Sequence, residues 1–538
     1  ERDRVRFVLG LQLDRTELGY RVTARLADVV LGKEVAGSSE PAEREADVIA
    51  ALDRVLVTMR QRLGEDRAAI RARRAPLPMV STASLEALRS YADGSAAWAG
   101  GRFPVALELW RRAADLDTGF ATAYGAMGNW YYFHHDRSNG ERYYGEALRR
   151  ATRLTEWERL RLLEGLAEYR GQADSATLIS RDIATRFPNV VTWYNYGTSL
   201  MRSDRNEEAF AAFARALAFD SLHVNSHVNS ATAANGLGRY ALALEHYQAA
   251  NAIDSMVQYR ININHELGGT YVALGRLAEA ESVFRRMIVS SNVASRGMGL
   301  RSAGYLALWR GRLGQSIDLF TQASEAAQQP LGGLTEGRNR LLLASALRAA
   351  TRNADANLEV SRALALVQTP AWEPPFLALL AVACVRQGRM GDAESVLRMM
   401  QAHAGVKRPA DKAAEALVVG ALHLARSRPD SALQQLNLAK ALGQTLFVTT
   451  MRAEAFLALG QRDSARTTLE ALLQERGFGR EGQDEWQRAP LLLGHLLLSE
   501  GDSAGAKAAY HRFVDQWRDA PSALPDLVAA RARLAVLR

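Results

Sequence analysis

Small, aromatic and apolar positions recur at a fixed spacing along most of this chain. Two lines of six residues show the spacing best, since each member of the first stands 34 positions before its counterpart in the second: Trp193, Gly197, Ala209, Phe213, Ala216 and Asp220, then His227, Ala231, Ala243, Tyr247, Ala250 and Asp254. In each line the last two alanines and the aromatic residue between them are expected on one face of a helix. That helix would cross a preceding helix at the small residue, which is Gly197 in the first line and Ala231 in the second. A period of about 34 residues predicts a solenoid of stacked helical hairpins.

The turn between the two helices of a hairpin has its own signature. Glycine, arginine and an apolar residue follow one another in five places, which begin at Gly101, Gly238, Gly275, Gly311 and Gly388. Glycine favours the left-handed backbone that ends a helix, and the apolar residue starts the next helix back toward the core. We expect about 12 hairpins over residues 85–520, of which the third and the eighth keep least of the pattern. The predicted fold class is therefore mostly α.

The first 70 residues follow another pattern. Residues 5–13 alternate in part between apolar and polar side chains, and residues 20–26 alternate cleanly, as half-buried strands do. Residues 31–35 predict a third strand, and apolar residues at helical spacing predict a helix over 43–63. We expect a small α/β segment at 1–70 that is truncated at its start.

Two short segments bound the predicted solenoid. Residues 71–84 are predicted as a linker, because Pro76 and Pro78 break helix and Ser84 is placed to cap a helix that begins at Leu85. Residues 521–538 are predicted as a capping helix, whose amphipathic part over 524–537 covers the open end of the array.

Two parts of the chain resemble known families. The order of small and aromatic residues in the two lines resembles the tetratricopeptide repeat of bacterial proteins, which implies a right-handed superhelix with a concave groove. The segment from Arg21 to Asp28, followed by Gly32, Lys33 and Glu34, resembles the second half of a TolB-type amino-terminal domain. In bacterial receptors such a domain precedes these repeats, behind a kinase, a nucleotide cyclase or a winged-helix regulator.

Composition excludes several classes of protein. The chain has 538 residues, of which 48% are hydrophobic and 23% charged, as expected of a protein that is neither disordered nor embedded in a membrane. The 67 basic residues nearly balance 59 acidic ones, which argues against nucleic acid as a partner. No apolar run reaches the ~18 residues of a membrane span. A single cysteine, Cys384, excludes an internal disulfide and a cysteine-based zinc site.

The resemblance to tetratricopeptide repeats places the first helix of each hairpin along the groove. In the fourth to sixth hairpins, the groove positions are rich in amide and hydroxyl groups. These candidate peptide-binding residues are Tyr194, Asn195, Thr198, Asn225, Asn229, Thr232, Asn235, Asn262 and His265. Amide side chains both donate and accept, which suits an extended peptide backbone. Asn195 and Asn229 stand one repeat apart and are expected to form a ladder; the alternative is that such residues are solvated or join neighbouring repeats.

Other motifs do not indicate a chemical site. His223 and His227 could share a helix face, but no third metal ligand stands nearby in the sequence. The glycine-rich stretch 297–304 has the wrong spacing for phosphate binding and opens a helix rather than following a strand. The polar stretch 477–487 has no helical pattern and is expected to be an exposed loop. We expect no catalytic residues, no metal and no cofactor.

The leading hypothesis is a non-enzymatic scaffold that binds protein or peptide segments in the groove. The first alternative is the sensory or regulatory extracytoplasmic part of a larger bacterial receptor. The second is a structural subunit that assembles with copies of itself into a filament. The compartment is not determined by the sequence, although the receptor resemblance favours an extracytoplasmic location.

Overall fold

A computed structural model describes most of the chain. The residues it describes are 7–28, 31–67, 70, 82–99, 102–134, 136–255, 257, 261–327, 332–367, 372–402, 409–443, 446–474 and 478–537. The chain forms two compact units, residues 1–199 and residues 200–538. The expected linker at 71–84 falls mostly outside the described residues, but the predicted cap is confirmed, since Ser84 Oγ accepts a hydrogen bond from the Ala87 amide at 3.1 Å.

The first unit begins with an antiparallel three-stranded sheet. Its strands are β1 (Phe7–Thr16), β2 (Gly19–Asp28) and β3 (Lys33–Ala42), in the order β1-β2-β3. The first two strands are confirmed where the alternation predicts them. The prediction that the third strand covers 31–35 is wrong, because it runs on to Ala42 through the polar residues Ser38, Ser39 and Glu40. These residues pair with β2, and Ser39 Oγ lies 3.1 Å from Thr23 Oγ1.

One helix, α1 (Val48–Arg62), packs on this sheet after a short 3-10 turn. It contacts β2 and β3, so that Val22 and Ala24 of β2 are buried. Leu11 and Leu13 of β1 pair with these two residues across the ladder, yet they are 54% and 43% exposed. The helix therefore covers two of the three strands.

Helical hairpins make up the rest of the described chain. In order, their helix pairs are α2 (Leu85–Ala99) and α3 (Phe103–Leu116); α4 (Ala121–Phe133) and α5 (Arg137–Arg149); α6 (Glu156–Tyr169) and α7 (Ala173–Arg186); α8 (Val190–Arg202) and α9 (Asn206–Phe219); α10 (Val224–Gly236) and α11 (Tyr240–Ile253); α12 (Ile261–Ala273) and α13 (Leu277–Ile288); α14 (Val293–Trp309) and α15 (Leu313–Ala327); α16 (Gly332–Ala349) and α17 (Asn353–Leu366); α18 (Pro374–Arg386) and α19 (Met390–Ala402); α20 (Pro409–Ala425) and α21 (Pro429–Leu442); α22 (Leu446–Ala458) and α23 (Arg462–Gln474); α24 (Gln483–Ser499) and α25 (Ser503–Gln516). A last helix, α26 (Pro525–Val536), follows them. The predicted helical solenoid with a small α/β segment is confirmed.

The turns inside the hairpins have the predicted backbone. Gly238 and Gly275 both have φ of 71°, in the left-handed region that glycine adopts without strain. Gly101 lies outside the described residues. In three hairpins another residue takes a left-handed conformation at the turn: Asp204, Thr351 and Ser427, with φ of 59°, 60° and 56°. Thr351 stands in the eighth hairpin, so part of the weak repeat signal there reflects a missing glycine.

The helices of a hairpin cross where a small residue meets a large one. A side-chain carbon added at Gly304 would lie 2.6 Å from the Phe320 ring, and one added at Gly494 would lie 2.8 Å from the Tyr510 ring. Phe320 and Tyr510 are both fully buried. The small position of the repeat is therefore set by the close approach of an aromatic ring from the second helix.

We expect Gly268→Ala to lower the local free energy of unfolding of α12 and α13 by about 1–3 kcal/mol, since overpacking of a filled core costs that much. An added methyl group there would overlap the ring of Phe284, which is fully buried. Amide hydrogen exchange in the two helices measures the change. The control is Gly297→Ala in α14, where a new carbon meets nothing within 4 Å; it should stabilise by about 0.5–1 kcal/mol. Equal effects at both sites would contradict this account.

Within the second unit, the twelfth hairpin packs against the seventh. Gln483 Nε2 donates a hydrogen bond to Tyr305 O at 2.9 Å, and Gln487 Nε2 donates one to Leu308 O at 3.0 Å. The Trp486 ring stacks on the Trp309 ring, with centroids 5.0 Å apart. The unit therefore closes on itself through the beginning of α24.

This closure corrects the expectation that residues 477–487 form an exposed loop. Residues 483–487 begin α24 and are at most 7% exposed. The two glutamines among them donate to carbonyl groups at the end of α14, and the two acidic residues pair with Arg348 and Arg386. Polarity alone therefore gave the wrong prediction of exposure.

Candidate functional site

The first helices of five consecutive hairpins of the second unit line an open cavity of about 900 Å³. These helices are α10, α12, α14, α16 and α18, and the end of α15 completes the wall. Asn292 caps α14 at the rim by accepting a hydrogen bond from the Ser295 amide at 2.9 Å. The cavity lies on the side of the hairpins that the repeat resemblance assigns to the groove.

Two of the predicted groove residues line this cavity. Asn225 is exposed and Asn229 is half-buried, and both project from α10. They stand one helical turn apart, so their amide groups lie on the same face of the helix. Apolar side chains also line the cavity, among them Val228 on the same helix and Phe376 on α18. The mixture of amide and apolar surface could hold both the backbone and the side chains of a bound segment.

The other predicted residues of the second unit do not line the cavity. Thr232 Oγ1 donates to the Val228 carbonyl of its own helix at 3.2 Å. His265 Nδ1 lies 2.8 Å from Ser302 Oγ, and its ring lies beside Gly479. The side chain of Asn262 lies outside the described residues.

The expectation for Asn235 is corrected. Its side chain is 4% exposed and exchanges hydrogen bonds with Thr270 Oγ1 at 2.9 and 3.0 Å. It therefore joins α10 to α12 inside the protein, because it stands on the face of α10 that packs against the next hairpin. This is the inter-repeat role that the sequence analysis left as the alternative.

Three predicted groove residues belong to the first unit, on α8. Tyr194 and Asn195 are half-buried, and Thr198 Oγ1 donates to the Tyr194 carbonyl at 3.0 Å. Asn195 and Asn229 lie in different units, so the ladder between them stays a prediction.

Three functional candidates were missed by the sequence analysis: Arg301, Arg338 and Asn339 all line the cavity. Arg338 pairs with Glu481, from the loop before α24. Asn339 Nδ2 donates to the Ala323 carbonyl at 2.8 Å, whereas its Oδ1 is buried and has no hydrogen-bond partner among the described residues. The glycines of 297–304 dominate the pattern of that stretch, and nothing in its spacing marks Arg301 as a binding residue.

Further arginines on the same side of the unit are already paired. Arg386 Nε lies 2.8 Å from Glu485 Oε1, and Arg386 Nη1 lies 3.0 Å from Glu454 Oε2. Arg348 pairs with Asp484. Burial by itself lowers the pKa of Arg386, and the carboxylates of Glu485 and Glu454 more than offset this, so that the pKa is raised. These arginines are occupied by the chain's own acidic residues and offer no open anion site.

The histidines of the fifth hairpin form a pair. His227 Nδ1 lies 3.0 Å from His246 Nδ1, and the pKa of His246 is lowered by burial and by the neighbouring His227. His223 Nδ1 instead caps α10 by accepting from the Ser226 amide. The described part of the chain contains no group of three or more side chains placed to hold a metal ion. None of its helices is both long and apolar enough to cross a membrane.

Comparison with known proteins supports the repeat assignment. Residues 194–255 match the model of the tetratricopeptide repeat family. No curated protein matches the sequence. Nothing in these comparisons bears on the TolB-type resemblance of the first strands, which stays a prediction.

Several solved structures are similar to the chain. A human IFIT1 dimer with m7Gppp-AAAA is 15% identical, with a TM-score of 0.38 over 73% of this chain and 89% of that one. A tetratricopeptide repeat protein from Parabacteroides merdae is 15% identical, with a TM-score of 0.37 over 56% of this chain and 98% of that one. The APC/C hetero-tetramer Cut9–Hcn1 is 12% identical, with a TM-score of 0.33 over 82% and 95%. At these scores we infer no ligand, partner or activity from them.

Proposed function

We propose that this protein, which is built from tetratricopeptide repeats, is a non-catalytic scaffold that binds an extended segment of a partner protein. The observation that carries the proposal is the open cavity of about 900 Å³ along the first helices of five consecutive hairpins. Its size lies near the upper limit of small-molecule pockets, and it is open rather than enclosed. An extended segment could therefore enter along the helices.

The chemistry of the wall also favours a peptide. Asn225 and Asn229 present groups that both donate and accept, as the backbone of an extended segment requires. Val228, Met298 and Phe376 provide apolar surface for the side chains of the segment. Arg301 and Arg338 add positive charge at one side, which would fix the direction of the segment.

Gly297→Trp is expected to weaken segment binding at least tenfold. Gly297 lines the cavity, and a side-chain carbon added there meets nothing within 4 Å, so the first atom of the new side chain is accommodated and the indole should occupy space that a segment would need. The experiment selects peptides from a displayed random library on the immobilised wild-type protein and measures their affinity for each variant by fluorescence anisotropy.

The matched control is Gly314→Trp. Gly314 is also a helical glycine with open space around it, but it is exposed on α15 and does not line the cavity. This variant should bind the selected peptides as the wild type does. The proposal fails if no peptide is enriched, or if both variants bind equally well.

A further inference from the structure

Arg301 is a buried cation in the wall of the cavity. Its side chain projects from α14 into the cavity, and the residue is only 9% exposed. In the described part of the chain it forms no ion pair, and its guanidinium donates only to the thioether sulfur of Met298, at 2.9 Å. Burial and the charge of Arg338 lower the pKa of Arg301, and the weaker opposing effects of Tyr305 and Glu481 do not offset them. An arginine nevertheless keeps its charge in proteins.

Such an arrangement is costly in a folded protein. A buried charge is normally paired or fully hydrogen-bonded, because the energy lost on leaving water must be recovered. A thioether is a weak acceptor, so it replaces little of that energy. The free protein is therefore expected to be less stable with Arg301 than with an apolar side chain of similar length.

The neighbouring arginine shows which group the cavity accepts. Arg338 lies on the adjacent first helix, lines the same cavity and pairs with the carboxylate of Glu481. Glu481 pairs directly with Arg338 and acts on Arg301 only at a distance, so the two guanidinium groups share one carboxylate. One positive charge is therefore left over beside the cavity, and the unsatisfied Oδ1 of Asn339 is an acceptor in the same wall.

We infer that Arg301 is a subsite for a carboxylate of the bound segment, while Asn339 Oδ1 accepts an N–H group from the same segment. The inference rests on the proposed function, since it assigns a chemical class to the ligand of that cavity. The carboxylate comes either from an aspartate or glutamate side chain or from the carboxyl terminus. In both cases the planar guanidinium can bind it through two parallel hydrogen bonds.

The test uses three short alanine peptides of equal length, all acetylated at the amino terminus. One carries a central glutamate and an amidated carboxyl terminus, the second carries glutamine in place of the glutamate, and the third contains only alanine with a free carboxyl terminus. Each is added at millimolar concentration, and the Tm of the whole protein is measured. We expect the glutamate or the free-carboxyl peptide to raise the Tm, which also identifies the source of the carboxylate. Equal effects of all three peptides would overturn the inference.

Two variants test the role of Arg301 itself. Arg301→Met should abolish the rise in Tm caused by the carboxylate peptide, yet without peptide its own Tm should equal or exceed that of the wild type. Arg301→Lys keeps the charge but loses the planar guanidinium with its two parallel donors, so it should retain part of the rise in Tm. The control is Arg296→Met, an exposed arginine on the same helix that does not line the cavity and should respond fully. A marked loss of Tm in Arg301→Met without peptide would show an internal counter-ion and overturn the inference.

The two proposals can fail separately. If selected peptides are blocked by Gly297→Trp but bind Arg301→Met unchanged, the scaffold function stands and the carboxylate subsite is wrong. If the carboxylate peptide depends on Arg301 while no selected peptide is blocked by Gly297→Trp, the subsite stands and the cavity does not bind an extended segment.

Discussion

Trp486→Ala is expected to lower the free energy of unfolding of the second unit by about 3–5 kcal/mol, the usual cost of removing a buried tryptophan. Trp486 is 5% exposed and stacks on Trp309. Its Nε1 donates a hydrogen bond to the Leu472 carbonyl at 2.8 Å, which the variant leaves without its donor. The residue thus joins the twelfth hairpin to both the eleventh and the seventh.

Amide hydrogen exchange distinguishes closure from ordinary local packing. If Trp486 holds the unit closed, its loss should increase exchange at the end of α14, about 180 residues away in sequence, as well as in α24. Faster exchange confined to α24 and α25 would contradict the closure. Trp157→Ala is the control, since Trp157 is 38% exposed and its loss should cost far less.

Arg386→Leu is expected to lower the free energy of unfolding of the same unit by about 3–5 kcal/mol, because removing one partner strands a buried charge. Arg386 pairs with Glu454 and Glu485, and the Glu485 side chain is only 8% exposed. Arg348 lies 3.4 Å from the same carboxylate and already pairs with Asp484, so it cannot fully replace the lost partner.

Denaturant unfolding checks this expectation with two matched variants. Arg352→Leu removes an arginine from an exposed pair with Asp355, whose side chains are 55% and 50% exposed, and should change stability by less than about 1 kcal/mol. The double variant Arg386→Leu with Glu485→Leu removes both charges and should recover much of the loss. If Arg386→Leu behaves like Arg352→Leu, the pair contributes nothing measurable to the closure.

The hairpins could be predicted because their causes are local. A small residue and an aromatic ring that meet at a crossing, such as Gly304 and Phe320, stand only 16 positions apart. Because the same pairing recurs once in every repeat, a hairpin that departs from the pattern, such as the eighth with Thr351 at its turn, can still be assigned from its neighbours. The full length of the third strand was not predicted because Ser38 and Glu40 are polar, although they stand opposite the buried Ala24 and Val22 of β2 and Glu40 pairs with Arg54 of α1.

The closure could not be predicted because its cause is not local. Gln487 reaches the carbonyl of Trp309 across 178 residues, and no spacing within either segment indicates the other. The same reason explains the missed cavity residues. Asn225 was found through the repeat pattern, whereas Arg301 is notable only because it forms no ion pair with the residues that the structure describes.

The receptor and filament alternatives stay predictions. None of the contacts within either unit bears on an attached kinase or regulator. Among the described residues, β1 is an edge strand of the sheet and its leucines are exposed. A strand of a second copy of the chain could pair with this edge in a filament.

The closed second unit also has a consequence during synthesis on the ribosome. An open array can fold hairpin by hairpin as it emerges, because each hairpin needs only its neighbours. Here Trp309 is covered only by a segment that follows 178 residues later in the sequence. Synthesis of those residues takes roughly 10–35 s at the usual rate of translation. During that interval the aromatic surface of the seventh hairpin is exposed, and a chain stopped before α24 would keep it exposed.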